Sequence, residues 1–173
     1  MASRRTALVQ LFCALATRAA APARAESPSR TEAPPDLIVV RKAKREMLLL
    51  RDGRPLRTYA IALGRAPIGP KRRQGDGKTP EGFYRISGRN KNSSYHRSLR
   101  ISYPSPDDLV RARRMGVSPG GDIMIHGLPN GLGRIGAAHR TNDWTEGCIA
   151  VTNDEIEEIW RLVPDGTPIR IEP

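Results

Sequence analysis

Glycine and proline interrupt this chain so often that long helices have nowhere to run. Sixteen glycines and fifteen prolines are spread over 173 residues. Glycine admits turn conformations and proline removes a backbone donor, so such a chain folds as short elements joined by many turns. "RTYAIAL" alternates in the manner of a strand with one buried face. "LIVVRK" and "EMLLLRDGRPLRTYAIALG" read as strands with a turn at Asp52-Gly53. "FYRISG", the end of 88–103, "GGDIMIHG" and "TPIRI" add further strands. "APIGPKRRQGDGKTPEG" and "LPNGLGRIGAAHRTNDW" read as loops.

Two short helices are predicted. "SPDDLVRARRMG" has Ser105 as N-cap, Pro106 at the first helical position and acids in the first turn. "TNDEIEEIWRLV" carries a capping box, Thr152 with Glu155, and apolar residues Ile156, Ile159, Trp160 and Val163 at helical spacing. No internal repeat appears. The expected fold is mainly β, a sandwich or barrel-like pair of sheets with two or three short helices.

The N-terminus reads as an export signal. "MASRR" is positive, "TALVQLFCALAT" is apolar, and Ala23-Arg24-Ala25 offers a small-residue cleavage site. Residues 1–25 are therefore expected to be a signal peptide, 26–36 a flexible linker and 37–173 the folded domain. The apolar run is too short for an integral membrane span. Phe12 before Cys13 does not suit lipid attachment. The predicted location is the periplasm. The formal net charge of +11 implies anionic partners: nucleic acid, a membrane surface or a wall polymer. Export and the lack of interleaved basic and aromatic residues argue against nucleic acid.

Cleavage after Ala25 would leave Cys148 as the single cysteine. A lone exported thiol makes no internal disulfide; it is inert and buried, an intermolecular linker, or reactive. Its setting, "DWTEGCIAV", favours reactivity. Gly147 lets backbone approach a substrate, and the turn ahead of the Thr152 cap places the Gly147 and Cys148 N–H groups to hold an oxyanion. A thiol nucleophile also needs a base. Of three histidines, His126 ends an apolar strand 22 positions before Cys148, with a glycine-rich loop that can fold back. His139 lies in that loop with less to hold it, and His96 reads as surface. One such cysteine and scattered histidines do not match metal-ligand spacing, so no metal is expected.

"IHG", followed at this distance by "TEGCI", resembles the L,D-transpeptidase catalytic domain family, the YkuD type. "KTPEGFYRI" resembles that family's threonine-proline-glycine stretch. The resemblance covers roughly 37–172. Glu146 and Ala150 stand where many members have histidine and arginine or asparagine, so "DWTEGCIAVTN" is similar to a subgroup known for hydrolysis as well as transfer.

The resemblance implies a mixed-strand β-sandwich acting on peptidoglycan stem peptides, with a wall-attached lipoprotein as a further partner. Cys148 would be the nucleophile, His126 its base, and Gly127 the orienter of the imidazole through its carbonyl, with no metal or organic cofactor required. Residues 88–116 are expected to form a lid, with Tyr95 and Tyr103 near substrate. Arg134 and Arg140 are candidates for substrate carboxylates. His139, Trp144 and Thr145 complete the expected substrate-binding set, with Trp144 packed against the cysteine turn. Three other readings compete: a hydrolase of stem-peptide or wall-protein linkages, a papain-like peptidase, and a wall-binding module with an inert cysteine. The papain-like order is the reverse of the one here.

Overall fold

The computed structural model describes residues 33–173. The predicted signal peptide, and residues 26–32 of the predicted linker, lie outside the described residues. Residues 34–36, expected to be linker, are tied to the domain. Arg51 Nη1 donates to the Pro34 carbonyl (2.8 Å), Asp36 N to Leu50 O (2.9 Å) and Asp52 N to the Asp36 carboxylate (2.7 Å).

Among the described residues eight strands build a mixed sheet: β1 (Leu37–Arg41), β2 (Glu46–Arg51), β3 (Arg54–Ala60), β4 (Gly82–Ser93), β5 (His96–Ile101), β6 (Met124–His126), β7 (Ile149–Ala150) and β8 (Pro168–Glu172). Their order is β3-β2-β1-β8-β4-β5-β6-β7. The pairs β1–β8 and β6–β7 are parallel and the others antiparallel. β4 is shared: Gly82–Arg85 pairs with β8, and Ile86–Ser93 pairs with β5 across two register shifts. Such irregularities bend a strand, and β4 carries the chain from one half of the sheet to the other.

The edges then meet. Ala62, just past β3, bridges Ala150 of β7, and Gly64 bridges Thr145. The expected sandwich or barrel-like arrangement is what forms. Its interior is apolar: Ile38, Val40, Leu49, Ile61, Leu99, Ile101, Ile125, Ile149, Ile169 and Ile171 belong to one buried cluster.

Two α-helices lie among the described residues, and the second packs on this core. α1 (Pro106–Arg114) begins at the Ser105 cap with a complete capping box to Asp108. α2 (Asn153–Leu162) begins at Thr152, whose hydroxyl accepts from Glu155 N while Glu155 caps the Thr152 amide. Ile156, Ile159 and Val163 are fully buried, and Trp160 packs at the edge of the core. The predicted loop after His126 contains a 3-10 segment (Gly133–Thr141), kinked at Gly136. The predicted short strand at "FYRISG" extends to Ser93, and residues 88–101, part of the segment expected to form a lid, form the β4–β5 hairpin. Tyr103, expected near substrate, is buried, its hydroxyl donating to Pro119 O, and it does not line the Cys148 cleft.

Candidate active site

The cysteine turn is held from three sides. Gly147 has φ +129°, and a Cβ there would lie 2.5 Å from the Lys78 carbonyl oxygen. Only glycine fits so close to another backbone. This explains why the "KTP" stretch matters: it is the wall against which the cysteine turn rests. Gly64 completes that wall, its N–H donating to Thr79 Oγ1 (3.2 Å). Asp143 ties the segment to the far edge of the sheet. Its carboxylate accepts from Leu63 N (2.9 Å) and from Arg45 Nε and Nη2.

Thr145 bonds across the turn itself. Its hydroxyl donates to Cys148 O (2.7 Å) and accepts from Gly147 N (3.1 Å). Thr145 is thus a buried clasp of the turn, and the Gly147 amide, expected to face an oxyanion, is directed at Thr145.

β6 brings His126 beside this turn. In the parallel pair β6–β7, Ile125 faces Ile149 and His126 faces Ala150, which places Cys148 alongside Met124. A cleft of about 270 Å³ is lined by Cys148, His126, Tyr95, Asp122 and Met124, with Asn90, Ser93 and Ser94 from the β4–β5 hairpin. Cys148 Sγ lies 3.5 Å from the Asp122 carbonyl oxygen. His126 Nδ1 lies 2.6 Å from Gly127 O. A carbonyl only accepts, so that bond puts the proton on Nδ1 and leaves Nε2 as a lone-pair acceptor.

Burial favours the neutral form of both groups. Burial pushes the Cys148 thiol up, and the Asp122 charge adds to this; a hydrogen bond from the Met124 amide and the positive charge of Lys71 oppose it. Burial brings His126 down to about 4, against the Gly127 hydrogen bond and with repulsion from His139 in support. Both shifts favour the uncharged forms, thiol and imidazole.

Aromatic rings pack around the imidazole. The Tyr95 ring centroid is 4.5 Å from that of His126, and Trp144 meets His126 edge-on at 5.7 Å. Trp144 Nε1 donates to His139 Nδ1 (3.4 Å). His139, expected to be loosely held, is buried, and burial lowers its pKa. It supports Trp144 and does not line the Cys148 cleft. Arg140 is ion-paired with Glu155 rather than turned to a ligand, and Arg134 is exposed on the 3-10 segment, outside the cleft lining. Glu146 pairs with Arg65 at 2.5 Å on the surface. His96, as expected, is half-exposed, paired with Glu157 at 2.7 Å. Ala150 is fully buried in the bridge to Ala62.

Sequence reasoning missed Asn90, Asp122 and Met124. Alternation in "GGDIMIHG" was the available signal: Met124 and His126 share a face that Ile125 does not. Among the described residues no group of three or more His, Cys, Asp or Glu side chains is placed to hold a metal ion. No helix among them is long and apolar enough to cross a membrane.

A profile of the L,D-transpeptidase catalytic domain, YkuD, matches residues 35–171. The chain belongs to this family. YafK of Escherichia coli K12, whose name places it among the L,D-transpeptidases, is 33% identical over 111 residues, 62% of this chain and 37% of YafK. YqjB of Bacillus subtilis 168, named likewise, is 28% identical over 135 residues, 78% of this chain and 69% of YqjB. Among solved structures, the helical cell shape determining protein Pgp2 of Campylobacter jejuni is similar at a TM-score of 0.62 and 26% identity, over 82% of this chain and 48% of Pgp2. An L,D-transpeptidase of Xylanimonas cellulosilytica shares the fold at a TM-score of 0.55 and 17% identity, over 85% of this chain and 65% of that one. This L,D-transpeptidase domain therefore spans less than half of YafK and of Pgp2.

Proposed function

We propose that this chain is an exported, cysteine-dependent L,D-transpeptidase acting on peptidoglycan stem peptides. The observation that carries the reading is the hydrogen bond from His126 Nδ1 to Gly127 O, which leaves Nε2 the acceptor on a residue that lines one cleft with Cys148. Because His126 stays neutral down to about pH 4, it is available as a base at neutral pH.

The reaction follows from those two groups. As Cys148 Sγ bonds to the carbonyl carbon of the third stem residue, its proton passes to His126 Nε2. The carbonyl oxygen becomes an oxyanion. With the Gly147 amide engaged by Thr145, the Cys148 N–H is the turn donor assigned to it. The tetrahedral species collapses, the C–N bond breaks, and Nε2–H protonates the departing amine of D-alanine. A thioester remains on Cys148. An acceptor amine then attacks, losing a proton to Nε2, and the thiolate leaves and is reprotonated. The product is a new amide cross-link. Water in place of the amine gives a carboxylic acid, the outcome of a carboxypeptidase or amidase. The relationship to Pgp2, named for cell shape, supports a role in wall remodelling.

The test is product analysis. Purified domain and its Cys148→Ala variant are incubated with muropeptides carrying tetrapeptide stems and an acceptor. Cysteine-dependent loss of D-alanine with new dimers is the expected result. Cysteine-dependent cleavage without dimers assigns the hydrolase instead. Equal, product-free behaviour of both proteins overturns the reading in favour of a wall-binding module.

A further inference from the structure

A second cavity continues the cleft across the sheet. It has a volume of about 310 Å³ and is lined by Gly88, Asn90, Ser98, Arg100 and Met124, with Arg89 at its edge. It shares Asn90 and Met124 with the Cys148 cleft. The strand register explains the continuity. Met124 faces Arg100, which faces Gly88; His126 faces Ser98, which faces Asn90. Paired residues share a face. One cross-strand row therefore runs from Cys148 through Met124 and Arg100 to Gly88, and the next runs from His126 through Ser98 to Asn90. The intervening residues Leu99 and Ile125 point into the core.

The polar groups along these rows are donors. Arg100 is a permanent cation with a side chain 55% exposed; its present partner is Asp122, 69% exposed. An ion pair this open to water is weakly held. The Asn90 side-chain oxygen accepts from Asn92 N (2.9 Å), which leaves its NH₂ group to donate. Ser98 is 1% exposed, and its hydroxyl has no hydrogen-bond partner, an unusual condition for a buried polar group. Arg89 is already engaged by Asp165 and the Trp160 and Val163 carbonyls. Gly88 has no Cβ, and nothing lies within 4 Å of where one would sit.

We propose that Arg100, Asn90 and Ser98 form a subsite for a carboxylate on the peptide bound for acyl transfer, with Asp122 as its competitor. Arg100 supplies the charge, Asn90 an amide donor, and Ser98 the hydroxyl at the floor. β5 lies two strand spacings from β7, roughly 10 Å, so the carboxylate belongs about two to three residues along an extended peptide from the acyl carbon, or one fewer when a side chain carries it. This rests on reading Cys148 as the nucleophile toward stem peptides, and the test separates the two.

Binding is measured by calorimetry on the full chain carrying Cys148→Ala, so that no turnover is needed. The ligands are a stem tetrapeptide with free carboxylates and the same peptide with its internal carboxylates converted to carboxamides. Amidation is expected to weaken binding about tenfold, as loss of a charge-assisted hydrogen bond does. Arg100→Gln does the same for the free peptide, and the two changes together cost no more than either alone. Asp122→Asn, by releasing Arg100, tightens the free peptide and not the carboxamide. Equal affinity for the two peptides, or fully additive effects of Arg100→Gln and amidation, overturns the subsite and leaves the proposed function standing. Absence of binding by either peptide contradicts the proposed function, and the subsite with it.

Discussion

Strands β5 and β6 have two faces that obey different rules. On one, Leu99, Ile101 and Ile125 are fully buried in apolar surroundings. On the other, Ser98 and His126 are buried almost as deeply, yet Ser98 lacks a partner and His126 is pushed well below its ordinary pKa. The first face gains free energy from burial, roughly 1.5–3 kcal/mol per large apolar side chain. The second gives some up, because a buried hydroxyl without a partner and a buried imidazole both oppose folding. The cleft face, which holds Ser98 and His126 away from water, sits on strands whose opposite face stabilises them.

The largest expected effect is on the apolar face. Leu99→Ala should lower the unfolding free energy by about 2–5 kcal/mol, the range for a truncated core leucine, measured by denaturant titration. Next comes the pH dependence of the cleft face. His126 falls from 6.5 unfolded to about 4 folded, so between those values the unfolded chain binds more protons. Stability is full above about pH 6.5 and falls by roughly 3 kcal/mol as the pH drops to 4. His139, also lowered by burial, acts in the same direction. His126→Gln should flatten that slope in the same titration. Smallest is Ser98→Ala, one residue from Leu99. Removing an unpartnered hydroxyl should leave stability within about 0.5 kcal/mol or raise it slightly. If Ser98→Ala instead costs as much as Leu99→Ala, the contrast between the faces is wrong.

Local rules made much of this legible. Both helix starts were readable because a capping box and a first-turn proline act within four residues. The Asp52-Gly53 turn followed from positive φ at both positions. Cys148 and His126 stood out because a strand end before glycine and a cysteine after glycine are local features. Long-range pairing was not legible. The polar residues 88–93 carry no strand pattern, yet β5 holds them in a hairpin. Arg140 looked available until α2 brought Glu155 to it. Thr145 looked like a substrate contact until the turn placed its hydroxyl between Gly147 N and Cys148 O. His139 looked loose until Trp144 supplied a donor. In each case the deciding partner is a folded neighbour that sequence spacing does not identify.

The central claim is that Cys148 and His126 rest as a neutral pair in one cleft. The most direct measurement is the rate of Cys148 alkylation by iodoacetamide against pH, in the wild-type chain and in His126→Gln. A thiol kept protonated by burial should react slowly at neutral pH, with a rate that climbs through the alkaline range and has no acidic plateau. A rapid, flat rate from about pH 5 to 8 that disappears in His126→Gln would mean a thiolate–imidazolium pair, and would contradict the neutral resting state and the general-base role built on it.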